Sequence, residues 1–165
     1  MNCYDVIIIG GGLAGLTAAL HLSQRNHSVL LIEKKEYPHH KVCGEYVSNE
    51  VLPYLKNLDI SFKGLKIKSI DTLLLSSSNG TSVETKLPLG GFGISRFALD
   101  HLLYRKAIAS GTVFYLDTVL NVNFTEETFE VSTEKGEQFN AHLVIGAYGK
   151  RSSLDKNLKR TFIQK

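Results

Sequence analysis

Residues 5–33, DVIIIGGGLAGLTAALHLSQRNHSVLLIE, decide the fold. They begin with a β-branched apolar run at 6–9, which predicts a buried parallel strand. A segment rich in alanine and leucine follows at 13–24 and carries its apolar residues at helical spacing. A second apolar run at 29–32 ends at Glu33 and predicts another strand. Strand, helix and strand in this order predict a βαβ unit with a right-handed crossover.

Three glycines form a GxGxxG motif where the first strand meets the helix. We expect Gly10 to make the tight turn, Gly12 to let a pyrophosphate approach the backbone, and Gly15 to let helix and strand pack closely. The amides of Leu13 and Ala14 belong to the positive end of the helix, where phosphate groups bind. The motif in this context therefore predicts a dinucleotide site.

Glu33 lies at the end of the second strand, 18 residues after Gly15. A carboxylate in this position can accept hydrogen bonds from both ribose hydroxyls, and it repels the 2′-phosphate of NADP. We include the next residue, Lys34, in the predicted site. Because FAD and NAD both contain adenosine diphosphate, the motif alone leaves both cofactors open.

The middle of the chain predicts a short helix and a hairpin. Residues 49–58 are predicted to form a short helix, in which Pro53 is tolerated only near the start. The apolar runs 65–76 and 81–87 predict two strands. The Asn-Gly pair at 79–80 is typical of the turn of a hairpin. We expect the glycine-rich segment 90–93 to be a loop.

The second half of the chain predicts a helix followed by strands. Ser95 is a suitable N-cap for a helix over 96–110. A short strand is predicted at 112–116, and alternating apolar residues with two turns predict an antiparallel meander over 119–141. The apolar run 143–146 predicts a buried strand, and no convincing element follows Gly149.

Four segments, read together, resemble one flavoprotein superfamily. Residues 5–33 resemble the FAD fingerprint of the flavoprotein monooxygenases, and 41–45 resemble the KxCG element of the geranylgeranyl reductase family. Residues 94–103 resemble the superfamily's helix with an arginine near the flavin, and 144–153 resemble its VIGADGxxS element. The chain is therefore similar to the N-terminal FAD-binding part of the geranylgeranyl reductase and electron-transfer oxidoreductase family, which borders on the flavin-dependent halogenases.

The resemblance implies an α/β fold of the glutathione-reductase type, with a parallel sheet, a β-meander crossover and a partial second β-sheet. Residues 1–48, 95–118 and 142–150 would form the nucleotide-binding fold, 119–141 the meander, and 60–90 the start of a substrate-side sheet. Members of this family run well past 300 residues, so we expect a C-terminal part to be absent and the fragment alone to be inactive.

The resemblance also implies FAD as the cofactor and adds residues to the site. These are Cys43, Gly44, Arg96 and Gly149. Tyr148 stands where the superfamily usually has an aspartate associated with the flavin ribityl chain and with reduced pyridine nucleotide. A tyrosine can donate a hydrogen bond there but supplies no charge.

Some of these residues also admit a simpler interpretation. Cys43 could have a redox role, but a packed side chain in a cofactor loop is the better interpretation. With His39 and His40 it offers at most three metal ligands, so we expect no metal site. Arg96 would occupy the first position of a helix, which is a poor place for a cation and favours a role in binding cofactor phosphate.

The function implied is that of an FAD-dependent oxidoreductase, which transfers a hydride or electrons to an unidentified small-molecule or lipid-like substrate. Its electron donor would be NAD(P)H or another reductant. Two alternatives remain: a flavin-dependent halogenase of the same fold, and a non-catalytic module that holds FAD or NAD. We can name no catalytic residue from this sequence.

Composition limits the partners and the location. The net charge is only +3 and its excess lies in residues 150–165, which gives no reason to expect nucleic-acid binding. No apolar run approaches the length of a transmembrane helix. Two cysteines cannot form a disulfide framework, and no secretory signal precedes the first strand, so we expect a cytoplasmic protein.

Overall fold

The computed structural model of the protein describes residues 3–149 and Leu154. The chain forms two compact units. The first takes the residues up to Tyr37 and those from Asp100 onward, and the second takes Pro38–Leu99. The functional division of the chain into nucleotide-binding, meander and substrate-side segments stays a prediction.

The elements follow one another in the order β1 (Cys3–Ile9), α1 (Leu13–Ser23), β2 (Val29–Glu33), β3 (Tyr46–Ser48), a 3₁₀ turn (Asn49–Val51), α2 (Leu52–Asn57), β4 (Lys68–Ser76), β5 (Ser82–Gly93), α3 (Arg96–Ala109), β6 (Val113–Leu116), β7 (Val119–Thr125), β8 (Thr128–Thr133) and β9 (Gln138–Gly146).

The first unit contains a six-stranded sheet in the order β6-β2-β1-β9-β8-β7. Neighbouring strands pair in parallel from β6 through β2 and β1 to β9. Strands β9, β8 and β7 pair antiparallel as a meander. The predicted βαβ unit, the meander and the α/β fold class are therefore confirmed. The carboxyl ends of β1, β2, β6 and β9 meet at one edge of the sheet, where α/β proteins bind ligands.

The core of this unit lies on both faces of the parallel strands. One buried cluster joins Ile7 and Ile9 of β1 to Val131 and Ala141 of the meander. Ile8 points to the opposite face, because side chains alternate along a strand, and it is fully buried as well. Helix α1 contacts both β1 and β2 and buries Leu16, Ala19 and Leu20. Apolar burial on two faces explains why the strands read as continuous apolar runs.

The second unit contains a three-stranded antiparallel sheet in the order β3-β5-β4. The predicted hairpin is confirmed, and Gly80 at its turn has a φ of 86°. The predicted loop at 90–93 is wrong, because this segment is the end of β5 and pairs with β3. Glycine suits it because a Cβ on Gly91 would lie 2.3 Å from the ring of Tyr46. Its partner β3, Tyr46–Ser48, is a short strand that the sequence analysis did not predict.

The predicted start of α3 is confirmed by its cap. Ser95 Oγ accepts a 3.2 Å hydrogen bond from the peptide N–H of Ala98. The helix ends before Gly111, whose φ of 96° favours glycine. The basic segment that we predicted to lack structure lies outside the described residues, apart from Leu154, which is helical and buried.

Among the described residues, every helix is too short or too polar to span a membrane.

Candidate functional site

The glycine motif between β1 and α1 is held by close packing at two of its three positions. Gly10 has a φ of 102°, and a Cβ there would lie 2.6 Å from the carbonyl oxygen of Ala147, directly after β9. A Cβ on Gly15 would lie 1.9 Å from the carbonyl oxygen of Gly10. Both glycines are therefore required by the protein's own backbone, in keeping with the roles of turn and close packing expected for them.

Gly12 differs from these two positions because the space beside it is open. An ideal Cβ on Gly12 would meet nothing within 4 Å among the described residues. Gly12 is the N-cap of α1, and no side chain caps this end or adds an acid to its first turn. The first amides of a helix lack intrahelical partners, so those of Leu13 and Ala14 face an environment suited to a phosphate. The residues present thus fit a pyrophosphate at this position.

Glu33 is fixed beside the motif by two peptide groups. The N–H of Gly11 donates a 2.7 Å hydrogen bond to Glu33 Oε2, and the N–H of Lys35 donates a 3.1 Å bond to Oε1. The side chain is only 8% exposed. Because each carboxylate oxygen has two acceptor positions, Glu33 can still accept hydrogen bonds from ribose hydroxyls.

A pocket opens at the carboxyl edge of the parallel strands, next to the motif. Gly10, Glu33, Lys34 and Tyr148 line it together with the segment 117–119. Its apolar surface comes from Ile9, Ile32, Val119 and Leu154. The carboxylate can make polar contacts with a ribose, and the apolar surface can pack against a base. The structure thus brings three of the predicted site residues, Gly10, Glu33 and Lys34, around one cavity.

Residues 117–119 form one wall of the pocket, and the sequence analysis did not predict them as site residues. This wall follows β6, whose neighbour in the sheet is β2, so both strands end at the same edge. The peptide N–H of Asp117 donates a 3.0 Å hydrogen bond to the carbonyl oxygen of Glu33. Its position directly after a parallel strand is the one signal in the sequence that could have pointed to it.

Asp117 has an electrostatic environment of its own. Burial raises the pKa of its carboxyl, but hydrogen bonds from Thr133 and from the peptide groups of Thr118 and Lys135 outweigh burial. The pKa of Asp117 is therefore below its ordinary value, and the group is charged at neutral pH. This side chain, 7% exposed, holds its segment of the pocket wall in place.

Tyr148, which the resemblance aligns with a usual aspartate, lines the pocket. Its Cα is 2.6 Å from the Cβ position of Gly10, and its ring lies close to Gly146. The residue also packs against the core cluster of the first unit. At this position the pocket therefore has an aromatic side chain in place of a negative charge.

Three other predicted residues, Cys43, Gly44 and Arg96, belong to the second unit. Cys43 is exposed, and its sulfur accepts a hydrogen bond from the peptide N–H of Glu45. Arg96 is half-buried at the first position of α3. Gly149, with a φ of 74°, directly follows Tyr148 in the first unit. Their roles toward a cofactor stay predictions.

The histidines considered as metal ligands lie in the second unit as well. The ring of His40 packs against Phe97 at a centroid distance of 4.8 Å. In the described part of the chain, no group of three or more His, Cys, Asp or Glu side chains is arranged to hold a metal ion.

Comparison with known proteins identifies sequence relatives of this chain. Residues 5–43 match the family described as FAD dependent oxidoreductase. The chain is 35% identical over 159 residues to digeranylgeranylglycerophospholipid reductase 1 of Methanothermobacter thermautotrophicus, which covers 90% of this chain and 39% of that protein. It is 38% identical over 106 residues to the digeranylgeranylglycerophospholipid reductase of Sulfolobus acidocaldarius, covering 59% of this chain and 24% of the relative.

Solved structures share the fold at lower sequence identity. The flavin-dependent brominase Bmp2 matches with a TM-score of 0.78 and 21% identity, over 98% of this chain and 41% of that one. Halogenase PltM in complex with phloroglucinol and FAD matches with a TM-score of 0.77 and 21% identity, over 94% of this chain and 36% of that one.

The chain spans about two fifths of the length of its reductase relative from Methanothermobacter. The predicted fold and the predicted relationship to FAD-dependent oxidoreductases are confirmed by these matches. The chain therefore has the FAD-binding fold that flavin-dependent halogenases share, and it is similar in sequence to the digeranylgeranylglycerophospholipid reductases.

Proposed function

We propose that this chain binds the adenosine diphosphate moiety of FAD and serves an FAD-dependent oxidoreductase. One observation carries the proposal: open space beside Gly12, at the start of α1, adjoins a buried carboxylate, Glu33, that is fixed by the Gly11 amide. Phosphate and ribose are the two groups that this pair of features can bind. The match of residues 5–43 to the FAD dependent oxidoreductase family supports FAD over NAD.

Each residue of the site has a separate task in this proposal. The amides of Leu13 and Ala14 hold the pyrophosphate through hydrogen bonds and the helix dipole. Glu33 accepts hydrogen bonds from the ribose hydroxyls, and its charge excludes a 2′-phosphate. The apolar pocket surface beside Val119 excludes water from the adenine.

FAD, when bound, supplies the redox chemistry through its isoalloxazine ring, while the protein binds and orients it. We propose that hydride or electrons pass to a substrate of the isoprenoid lipid class, because the relatives are named as digeranylgeranylglycerophospholipid reductases. The electron donor would be NAD(P)H or another reductant. Cys43, Gly44, Arg96 and Gly149 remain candidates for further cofactor contacts.

A flavin-dependent halogenase is the second candidate function. The solved brominase and halogenase share the fold with this chain at 21% identity. The higher identity to the reductases favours reduction as the reaction.

We also propose a cytoplasmic location. Cys3 and Cys43 are both free and exposed thiols, as is usual in compartments that keep cysteines reduced.

Calorimetric titration of the 165-residue chain with FAD, FMN, ADP, NAD⁺ and NADP⁺ tests the proposed cofactor. FAD and ADP should bind, FMN should not, because it lacks adenosine diphosphate, and NADP⁺ should bind more weakly than NAD⁺. A chain that binds FMN but not ADP would refute the assignment. Circular dichroism of the same samples verifies that the chain is folded.

A further inference from the structure

Tyr37, which follows β2 in the first unit, contacts the glycine motif directly. Its hydroxyl donates a hydrogen bond to the carbonyl oxygen of Gly11. The N–H of Gly11 in turn donates to Glu33 Oε2. Gly11 is thus held through both of its backbone polar groups, by two side chains that come from the same short stretch of sequence.

The ring of Tyr37 is itself fixed by other aromatic residues. It stacks on Tyr104 of α3 with a centroid distance of 4.5 Å and an interplanar angle of 22°. Phe114 of β6 lies 5.8 Å from it, and Tyr104 and Phe114 pack edge to face at 5.1 Å. The hydroxyl is therefore presented to Gly11 by a ring with little freedom to turn.

This contact accounts for the glycine at position 11, which the GxGxxG pattern leaves unspecified. A Cβ on Gly11 would lie 1.8 Å from Tyr37 Oη and 3.1 Å from Glu33 Cβ. The three consecutive glycines thus have different causes. Gly10 is required by the backbone after β9, Gly12 adjoins open space, and Gly11 is required by Tyr37.

We propose that Tyr37 is a positioning residue for the phosphate-binding loop, an inference that rests on the proposed function. In a trans peptide the C=O and N–H groups point in opposite directions. The bond from Tyr37 to the Gly11 carbonyl therefore keeps the N–H of Gly12 pointing away from Tyr37. Rotation of this peptide would cost the hydrogen bond, so the loop is held in one conformation before a nucleotide arrives.

The test compares Tyr37→Phe with wild type in titrations with FAD, ADP and adenosine. The matched control is Tyr115→Phe, which removes a hydroxyl from a ring of the same unit that packs on Phe139. Loss of one neutral hydrogen bond should weaken FAD and ADP binding about 3- to 10-fold. Adenosine lacks phosphates and should bind the variant as it binds wild type, and the control should bind all three ligands normally.

Equal ADP affinity in Tyr37→Phe and wild type would overturn the inference and leave the proposed function standing. An equal loss for ADP and adenosine would also overturn it, because the effect would then not concern the phosphates. A wild-type chain that binds neither FAD nor ADP would instead overturn the proposed function. If Tyr37→Phe is unfolded at about 25 °C, the same titrations are made on wild type, variant and control at a lower temperature or in an excluded osmolyte, under conditions where circular dichroism shows the variant folded.

Discussion

The carboxylate of Asp117 accepts a 3.1 Å hydrogen bond from the peptide N–H of Lys135. The two residues belong to the wall of the pocket and to the turn between β8 and β9. The Lys135 ammonium group adds a 2.6 Å bond to the carbonyl oxygen of Leu116. The pocket wall is therefore attached to the meander as well as to β6, and the meander supports the site although it contributes little of the lining.

Asp117→Asn should reduce the acid sensitivity of the fold. The folded-state pKa of Asp117 is below its ordinary value of 3.8, so its stabilising contribution is present above that value and is lost as the pH falls through the folded pKa. The free energy of unfolding of wild type, measured with urea, should therefore fall more steeply below about pH 4 than that of the variant.

Asp117→Asn should also weaken ADP binding at neutral pH, because the pocket wall loses the charged hydrogen-bond acceptor that holds it in place. Asp71→Asn is the matched control. Asp71 also has a lowered pKa, but it pairs with Lys86 on the exposed β4–β5 hairpin of the second unit. It should share the change in acid sensitivity and leave ADP affinity unchanged. Equal effects of both variants on ADP affinity would contradict the role given to Asp117.

Gly12→Val and Gly15→Ala should separate binding from folding. A Cβ at Gly12 meets no described atom within 4 Å, so the melting temperature should stay near that of wild type while FAD and ADP binding is lost. The single methyl at Gly15 meets the Gly10 carbonyl at 1.9 Å and should lower the melting temperature by several degrees or more. Thermal melts and titrations of both variants would show the contrast, and a destabilised Gly12→Val would argue against an open phosphate site.

Glu33→Ala should weaken ADP and FAD binding about 10- to 150-fold, since hydrogen bonds to a charged group contribute about 1.5–3 kcal/mol. Glu33→Gln is the matched variant that keeps the shape and removes the charge. It should raise the affinity for NADP⁺ relative to NAD⁺, because the repulsion of the 2′-phosphate disappears. An unchanged NADP⁺ to NAD⁺ ratio would show that Glu33 does not contact the ribose.

Gly11→Ala and Tyr37→Phe should not be additive. Each change removes the same hydrogen bond, one by displacing the hydroxyl and the other by deleting it. A double-mutant cycle on ADP affinity should therefore show a double variant little weaker than Gly11→Ala alone. Independent effects, multiplying in the double variant, would mean that the two residues act on the nucleotide separately.

The β7–β8 turn offers a stabilising substitution. Its two residues, Glu126 and Glu127, have φ values of 49° and 70°, which glutamate adopts at a cost. Glu126→Asn with Glu127→Gly provides the residues that such two-residue turns prefer and should raise the free energy of unfolding by about 1 kcal/mol. Gly136→Ala is the opposite control, because its φ of 89° makes it destabilising although its Cβ meets no described atom. Urea unfolding measures both.

The parts of the fold that could be predicted are those with a local signal. The β-branched run before Gly10 and the alternation of apolar residues in the meander predict strands directly, and the glycine motif has a fixed spacing. The strand at 90–93 could not be predicted, because glycines carry no strand signal and its pairing depends on Tyr46, far away in sequence. The role of Tyr37 could not be predicted for a similar reason, since its contact with Gly11 depends on the folded loop.

Gly10 of the glycine motif is packed against the residues after β9. The motif and the backbone that packs against it therefore come from opposite ends of the described chain. Strand β9 must pair with β1 before Ala147 can reach Gly10. During synthesis the N-terminal βαβ unit emerges first. Pairing β9 with β1 is a slow step in folding, because the two strands are far apart in sequence. The nucleotide pocket is therefore completed late in folding, and a nascent chain should gain affinity for FAD only after β9 has left the ribosome.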